Sequence, residues 1–181
     1  MIIIGAGVAG LYAAMNIPTS KKVLVLCKDI PWECNTFYAQ GGIVTALDAD
    51  DVPVHVEDTL AAGAYHNLKK AVEILSETSL ETTKDIIERG MVFDTDKKGK
   101  LLYTKEAAHS TARIIHAGGD ATGRYLHYFM MTQNPHHLEQ NMLVYDLLID
   151  DGRCYGIKAT VNYTPKTIYA DNVIIASGGV G

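Results

Sequence analysis

Six residues near the start of the chain have the spacing of a phosphate cradle. Gly5-Ala6-Gly7-Val8-Ala9-Gly10 follows Met1-Ile2-Ile3-Ile4 and precedes Leu11-Tyr12-Ala13-Ala14-Met15. An apolar strand therefore runs into a G-x-G-x-x-G turn and then into apolar residues at helical spacing, the setting in which this motif binds a dinucleotide. Gly5 permits the tight turn. Gly7, without a Cβ, lets the backbone approach a pyrophosphate, and Gly10 lets the helix pack close to the strand. The helix start adds unpaired N–H groups and a positive dipole end. The motif alone leaves the identity of the dinucleotide open.

A nicotinamide-binding fingerprint asks for Asp or Glu about 20 residues on, at the end of the second strand, to hold a ribose. Here that place holds Cys27-Lys28, with Asp29 one step beyond. A dehydrogenase loses its discriminating acid, and Lys28 is placed instead to meet an adenosine ribose or a pyrophosphate. The segment Asn35-Thr36-Phe37-Tyr38-Ala39-Gln40-Gly41-Gly42-Ile43 is too polar and too rich in glycine for a core strand. The histidines offer no metal site: His136-His137 follow Pro135 in a polar turn without the carboxylate or cysteine spacing that would complete one. His55 and His66 lie on or near helices and are expected to cap or pack. Asp120 or Thr122, in the turn Ala117–Gly123, is expected to cap the helix that follows.

The elements that must position these residues can be read from hydrophobic periodicity. Lys22–Leu26 is a second strand, apolar from Val23 onward, as in a parallel sheet covered on both faces. With the first strand and Leu11–Ile17 it makes a βαβ unit. Pro31–Asp51 reads as irregular. Val54–Ala64 and Leu68–Arg89 read as helices, the second with Gly90 at its C-terminal end. Met91–Asp94 and Leu101–Tyr103 read as strands around an Asp96–Gly99 turn. Gly123–Asn134 reads as a helix stopped by Pro135. Met142–Ile149, Tyr155–Tyr163, Thr167–Tyr169 and Val173–Ala176 read as strands, with turns at Asp150–Arg153 and Thr164-Pro165. The expected fold class is α/β, a Rossmann-like FAD-binding domain with a parallel βαβ core and an antiparallel meander. The meander suits FAD better than a plain NAD(P) domain.

The chain has 181 residues, enough for one domain with a substantial core, given that 48% are hydrophobic. A net charge of −5 argues against a nucleic-acid or acidic-membrane surface. No apolar run approaches the roughly 20 residues needed to span a bilayer, and the first apolar stretch lacks the basic flank of a signal peptide. Cys27, Cys34 and Cys154 form no C-x-x-C pair, and their odd number suits a reducing compartment. A cytoplasmic protein with no membrane partner is expected. Only four residues precede the glycine turn, and the chain stops where Val173–Ala176 runs into Ser177-Gly178-Gly179. Residues 1–181 are therefore expected to be an FAD-binding domain incomplete at its C-terminal end, an N-terminal piece of a longer protein without the capping and helical domains.

Several motifs in order carry a more specific resemblance. GAGVAGLYAA, VLVLCK, NTFYAQGGI, HVEDTLAAGA, GMVFD, EAAHSTARIIHAGGDATGR and VIIASGG together span nearly the whole chain. The chain resembles the succinate dehydrogenase/fumarate reductase flavoprotein family, and within it the aspartate-oxidising branch. The resemblance implies that Gly5, Ala6, Gly7, Val8, Ala9 and Gly10 wrap an FAD pyrophosphate and that Lys28 follows the second strand beside it. It implies that Asn35, Thr36, Phe37, Tyr38, Ala39, Gln40, Gly41 and Gly42 run along the flavin, and that Ser177, Gly178 and Gly179 form a late turn near it. Backbone N–H groups of such bare glycines tune a flavin's electronics. Membrane-complex members carry a histidine beside the threonine, which links covalently to FAD. Cys34-Asn35-Thr36 has none, so the cofactor is expected to be non-covalent.

The same resemblance marks Glu106, with His109 and Ser110 nearby, as substrate-binding. Aspartate carries an ammonium and succinate does not. A carboxylate at this place pairs with the ammonium and repels a simple dianion. The family pattern has Gly-Gly after this glutamate, whereas this chain has Ala107-Ala108. The implied activity is FAD-dependent oxidation of L-aspartate to iminoaspartate in de novo NAD synthesis, with FAD accepting hydride and dioxygen or fumarate reoxidising it. Quinolinate synthase would take the unstable product. The family's catalytic arginine and further substrate-binding groups would lie beyond Gly181, so no catalytic residue is assigned in this chain. A soluble fumarate reductase or succinate-oxidising relative is the alternative enzyme. An inactive flavin-binding fragment is the alternative for the chain as it stands.

Overall fold

The computed structural model describes residues 1–106 and 108–179. In chain order its elements are β1 (Ile2–Ile4), α1 (Val8–Met15), β2 (Leu24–Leu26), α2 (Asn35–Tyr38), β3 (Ile43–Val44), α3 (Asp51–Ala62), α4 (Lys69–Glu88), β4 (Tyr103–Thr104), β5 (Ile114–Ile115), α5 (Thr122–Gln133), β6 (His137–Glu139), β7 (Met142–Asp150), β8 (Arg153–Val161), β9 (Thr164–Tyr169) and β10 (Val173–Ile175). They fall into two compact units, Met1–Ala39 with Leu126–Gly181, and Gln40–Tyr125.

The first unit is built on a parallel sheet of order β10-β1-β2-β6, in which Ile3 lies between Ile174 and Val25. Successive residues of a strand point to opposite faces, and the core divides accordingly. Ile3 and Val25 join Ala6, Ala14 and Val23 beneath α1, while Ile2 and Leu26 join Met142, Ile157 and Ala159 beneath the meander β7-β8-β9. Helix, parallel sheet and antiparallel sheet are thus three layers around two cores, and the α/β class with its meander is the expected one. Both hairpin turns of the meander use paired left-handed residues, Asp151-Gly152 (φ +45° and +72°) and Asn162-Tyr163 (φ +48° and +62°). Such pairs match the twist of the flanking strands.

The structure corrects the expected boundaries in several places. The second hairpin turns at Asn162-Tyr163, and Thr164-Pro165 already belongs to β9, with Pro165 opposite Thr160. Pro tolerates this place because β9 is an edge strand. His137, expected in a surface turn, lies in β6, paired with Leu24. Pro31–Asp51 is not wholly irregular, since it holds α2 and β3.

The second unit packs α3 against α4 beside a small antiparallel sheet of order β3-β5-β4. Met91–Asp94 is not a strand. Asp94 donates its N–H to the His116 carbonyl, and Thr95 and Leu101 form an isolated bridge around the Asp96–Gly99 turn. The hydrophobic alternation there reflects burial of Met91 and Phe93 rather than ladder pairing. Helix α4 ends as expected, with Gly90 at φ +106° just past it. Among the described residues, no helix is long and apolar enough to cross a membrane.

Candidate functional site

A cleft of about 620 Å³ opens at the carboxyl ends of β1 and β2 in the first unit. Its walls include Gly5, Ala6, Gly7, Val8 and Ala9, then Cys27 and Lys28, Asn35 and Thr36, and Ser177, Gly178 and Gly179. This is where open α/β sheets bind ligands. The three glycines of the first turn have three separable roles. Gly5 sits at φ +114°, and a methyl on it would stand 2.1 Å from the Ala176 carbonyl oxygen. A methyl on Gly10 would stand 1.9 Å from the Gly5 carbonyl oxygen. Both are required by packing. Gly7 is extended (φ −80°, ψ −172°), and a methyl there would meet only the Thr36 hydroxyl at 3.3 Å. Its bareness serves the cleft, not the fold. The first turn of α1 carries no acidic side chain to repel a phosphate. Gly178 and Gly179 likewise face open space. The residues present therefore fit a dinucleotide pyrophosphate.

Two contacts stiffen the cradle. Thr36 accepts the Val8 N–H at 3.0 Å, tying α2 to the start of α1. His127, fully buried on α5, lies with Nε2 3.0 Å from the Ala6 carbonyl oxygen. Burial lowers the pKa of this imidazole. A neutral ring with its hydrogen on Nε2 satisfies the carbonyl. Phe37 packs edge-on against His127, at 5.8 Å between ring centres, and against Tyr128, at 5.6 Å. Phe37 therefore braces the cradle from α2, while Tyr38 is exposed and donates its hydroxyl to Glu33. Cys27 donates its thiol to the Asp29 carbonyl at 3.0 Å. Burial, then the Asp29 charge, push that thiol up to about 11, so it stays protonated.

In the second unit a separate cavity of about 500 Å³ is lined by Gln40, Gly41, Asp94, Leu102, Thr104, Glu106, His116, Gly119 and Asp120. Three carboxylates face it and no lysine or arginine lines it. Asp94 is already engaged, accepting the N–H groups of Gly118 and Gly119 at 2.9 and 3.0 Å. Glu106 is half exposed, with Oε1 3.3 Å from His116 Nε2. Gly42 lies against Ile114 and Ile115, where a methyl would approach to 2.4 and 2.5 Å. Ala107 lies outside the described residues. Ala108 holds φ +69°, a conformation that favours glycine.

His109 and Ser110 lie outside the lining of this cavity. Ser110 gives both its N–H and its hydroxyl to Asp58 Oδ2, each at 2.8 Å. The same carboxylate takes Arg113 Nη1, while Arg113 grips Asp51 through Nε and Nη2. His109 Nδ1 is 3.3 Å from Arg113 Nη1. Asp51, His55 and Asp58 recur at i, i+4 and i+7 on one face of α3, the spacing that puts them side by side. Burial pushes the Asp58 carboxyl up, but the Ser110 N–H, the guanidinium and the Ser110 hydroxyl outweigh it and bring it down to about 2. Burial, then the neighbouring Arg113 charge, lower the His55 imidazole, which packs 6.0 Å from the His109 ring.

Sequence reasoning missed Arg113 and His127. An arginine inside the apolar run Ala112-Arg113-Ile114-Ile115 was the available sign of the first, because a charge in such a run needs buried partners. The second was legible only as a histidine on the inner face of a helix. Thr122 does not cap α5 as expected. It is the first helical residue, and its hydroxyl accepts the Ala117 N–H at 3.1 Å, closing the glycine turn. Among the described residues, no group of three or more His, Cys, Asp or Glu is placed to hold a metal ion.

Comparison with known proteins places this architecture. The chain is 43% identical over its whole length to the L-aspartate oxidase of Clostridium acetobutylicum and 39% identical, over 99% of its length, to that of Bacillus subtilis. It spans 42% and 34% of those two proteins. Among solved structures, quinol fumarate reductase of E. coli superposes with a TM-score of 0.90 at 25% identity, covering 99% of this chain and 32% of that one. The Sdh1 complex of Mycobacterium smegmatis shares the fold, with a TM-score of 0.90 at 24% identity, over 99% of this chain and 34% of that one. A family model described as an FAD binding domain matches residues 1–181. With its glycine cradle, its parallel sheet and its meander, the chain belongs to the FAD-binding domain family of the succinate dehydrogenase/fumarate reductase flavoproteins.

Proposed function

We propose that residues 1–181 form the FAD-binding domain of an L-aspartate oxidase, a protein that converts L-aspartate to iminoaspartate. Gly5–Ala9, Lys28, Asn35, Thr36 and Ser177–Gly179 would hold the cofactor, without a covalent link because no histidine adjoins Thr36. When bound, FAD supplies an acceptor for the hydride that leaves the substrate carbon. This chain's own contribution at the substrate is Glu106, which binds the ammonium and orients the amino acid. Gln40 and Gly41, from the segment expected along the flavin, line the cavity that Glu106 faces, and that juxtaposition carries the reading. Ser110 and His109 act from behind, fixing the chain that bears Glu106. The substrate's two carboxylates need basic partners that do not line this cavity. Reoxidation by dioxygen or fumarate, a cytoplasmic location and delivery of iminoaspartate to quinolinate synthase complete the proposed role.

The alternative is a fumarate-reducing or succinate-oxidising enzyme, which the likeness to quinol fumarate reductase favours. A carboxylate facing the substrate opposes it. The deciding experiment supplies FAD-loaded full-length protein with L-aspartate or succinate and follows hydrogen peroxide for both substrates, and iminoaspartate with fumarate as acceptor for L-aspartate alone. Aspartate turnover above succinate turnover is expected. Succinate oxidation with no activity on aspartate would overturn the reading.

A further inference from the structure

We propose that His116 is a positioning residue for Glu106 and thereby sets the preference for an aminated substrate; the inference rests on the reading of Glu106 as the ammonium partner. Thr104 stands opposite Ile114 in the antiparallel β4–β5 pair. His116, two residues beyond Ile114, is therefore diagonal to Thr104 on one face of the sheet. Glu106 lies beyond the end of β4, and its side chain meets the same imidazole. His116 Nε2 is 2.9 Å from Thr104 Oγ1 and 3.3 Å from Glu106 Oε1.

The hydrogen-bond inventory fixes the direction of these contacts. Thr104 directs its own hydroxyl hydrogen to the Ile114 carbonyl, at 3.4 Å. Its oxygen therefore meets His116 as an acceptor. Glu106, as a carboxylate, can only accept. Both contacts demand a hydrogen on Nε2, so one imidazole N–H is shared between a fixed strand hydroxyl and a half-exposed carboxylate. The ring is also confined from the far side, since a methyl on Gly42 would stand 3.0 Å from its Cε1. His116 is thus wedged between the Gln40–Gly42 segment and Glu106. An Nε2–H donor on Oε1 orients the carboxylate toward an incoming ammonium. The remaining charged groups lining the cavity are the carboxylates of Asp94 and Asp120, which add to the pull on a cation and do not compete for Nε2 as donors.

The test uses the FAD-loaded full-length protein with His116→Phe and His116→Gln. Phenylalanine removes the donor and keeps the ring volume. KM for L-aspartate should rise about five- to tenfold, the loss of one hydrogen bond to a charged group, with kcat within about threefold. The preference for aspartate over succinate should narrow by a similar factor. Glutamine restores an N–H and should recover at least half of the lost preference on a logarithmic scale. FAD affinity and Tm should stay near the parent values, which separates positioning from folding. If His116→Phe tightens aspartate binding, His116 competes with the ammonium and the proposal is wrong. A phenylalanine variant with unchanged KM overturns it too. Nitrogen-15 spectra of ring-labelled histidine read the pair without substrate. Nε2 should carry the hydrogen, and Glu106→Gln should shift that signal. A hydrogen on Nδ1 would overturn the geometry even if aspartate turnover is confirmed. The Nε2 form in a protein that does not oxidise aspartate would leave the pairing intact, overturning the functional reading and with it the role in substrate preference.

Discussion

Arg113 and Asp51 meet in a two-pronged ion pair inside the second unit, with Nε 3.0 Å from one carboxylate oxygen and Nη2 2.7 Å from the other. The guanidinium side chain has no solvent exposure and Asp51 has 9%. Arg113 also reaches Asp58, so it joins two carboxylates on one face of α3 to the chain entering β5. Parallel, forked hydrogen bonds of this kind give direction as well as energy. The cluster binds the helix to the strand and, through Ser110 on Asp58, to the chain that carries Glu106.

Arg113→Met should therefore be severely destabilising, because it leaves two desolvated carboxylates with no cation. Breaking a buried pair from one side costs about 3–5 kcal/mol. Arg113→Lys should recover little of this, since an ammonium cannot span both carboxylates with a planar fork. Urea unfolding of the three proteins measures it. A lysine variant as stable as the parent would mean that charge alone, and not the fork, holds the cluster.

The pH dependence of stability follows from Asp58. Its carboxyl is held down at about 2 in the folded chain, against about 3.9 for an unfolded aspartate. A depressed pKa contributes stability that is fully present above the unfolded value and is lost as pH falls through the folded one. The Asp51 carboxyl is also lowered: burial opposes ionisation, but the Arg113 hydrogen bonds and the Leu47 N–H prevail. Stability should hold from pH 7 to about 5 and fall between about 4 and 2. Asp58→Asn should be less stable than the parent at pH 7, and the difference should shrink toward zero near pH 2. A difference independent of pH would show that Asp58 contributes shape and not charge.

How much of this could be read in advance depends on where the forces act. The parallel core was legible because Ile2–Ile4, Leu24–Leu26 and Val173–Ile175 are apolar on both faces, and the first and last of them lead into glycine turns. The cradle was legible because its glycines answer to local backbone geometry. Arg113 was not, because its partners Asp51 and Asp58 lie 62 and 55 residues away in sequence, and pairing over such distances leaves no local pattern. His137 was misread for a related reason. A strand of three residues beside a proline takes its pairing from β2, not from its own periodicity. The contact of His116 with Glu106 was hidden because the β4–β5 register that brings His116 to Thr104 is set by strands of two residues each, and Glu106 lies beyond them.

Two methyl additions should separate the roles of the first glycine turn. Gly7→Ala adds a methyl that the fold accepts, with the Thr36 hydroxyl at 3.3 Å, yet it projects into the space a pyrophosphate would fill. FAD affinity should drop by about a hundredfold or more, with secondary structure and Tm of the flavin-free protein nearly unchanged. Gly10→Ala drives a methyl to 1.9 Å from the Gly5 carbonyl oxygen. It should cost at least the roughly 1–3 kcal/mol of core overpacking and lower the Tm of the flavin-free protein. Titration with FAD and thermal melts of both variants distinguish the outcomes. Equal affinity in Gly7→Ala would mean that the cleft is not the pyrophosphate site.

Glu106→Gln tests the chemistry of the substrate most directly. Glutamine keeps the size of the side chain, so the cavity around Gln40, Gly41 and His116 is preserved. It removes the charge that would pair with an ammonium and the repulsion that a dianion would meet. A charge-assisted hydrogen bond contributes about 1.5–3 kcal/mol, so kcat/KM for L-aspartate should fall roughly ten- to a hundredfold. Fumarate reduction should be spared or improved, because the dianion no longer faces a like charge. The ratio of the two activities is the informative quantity, since a folding defect would lower both together. Glu106 is half exposed and has no lysine or arginine beside it in the cavity, so its side chain faces outward toward whatever enters. A ratio unchanged by the substitution would make Glu106 a surface carboxylate paired with His116, and the preference for aspartate would have to originate in residues beyond this chain.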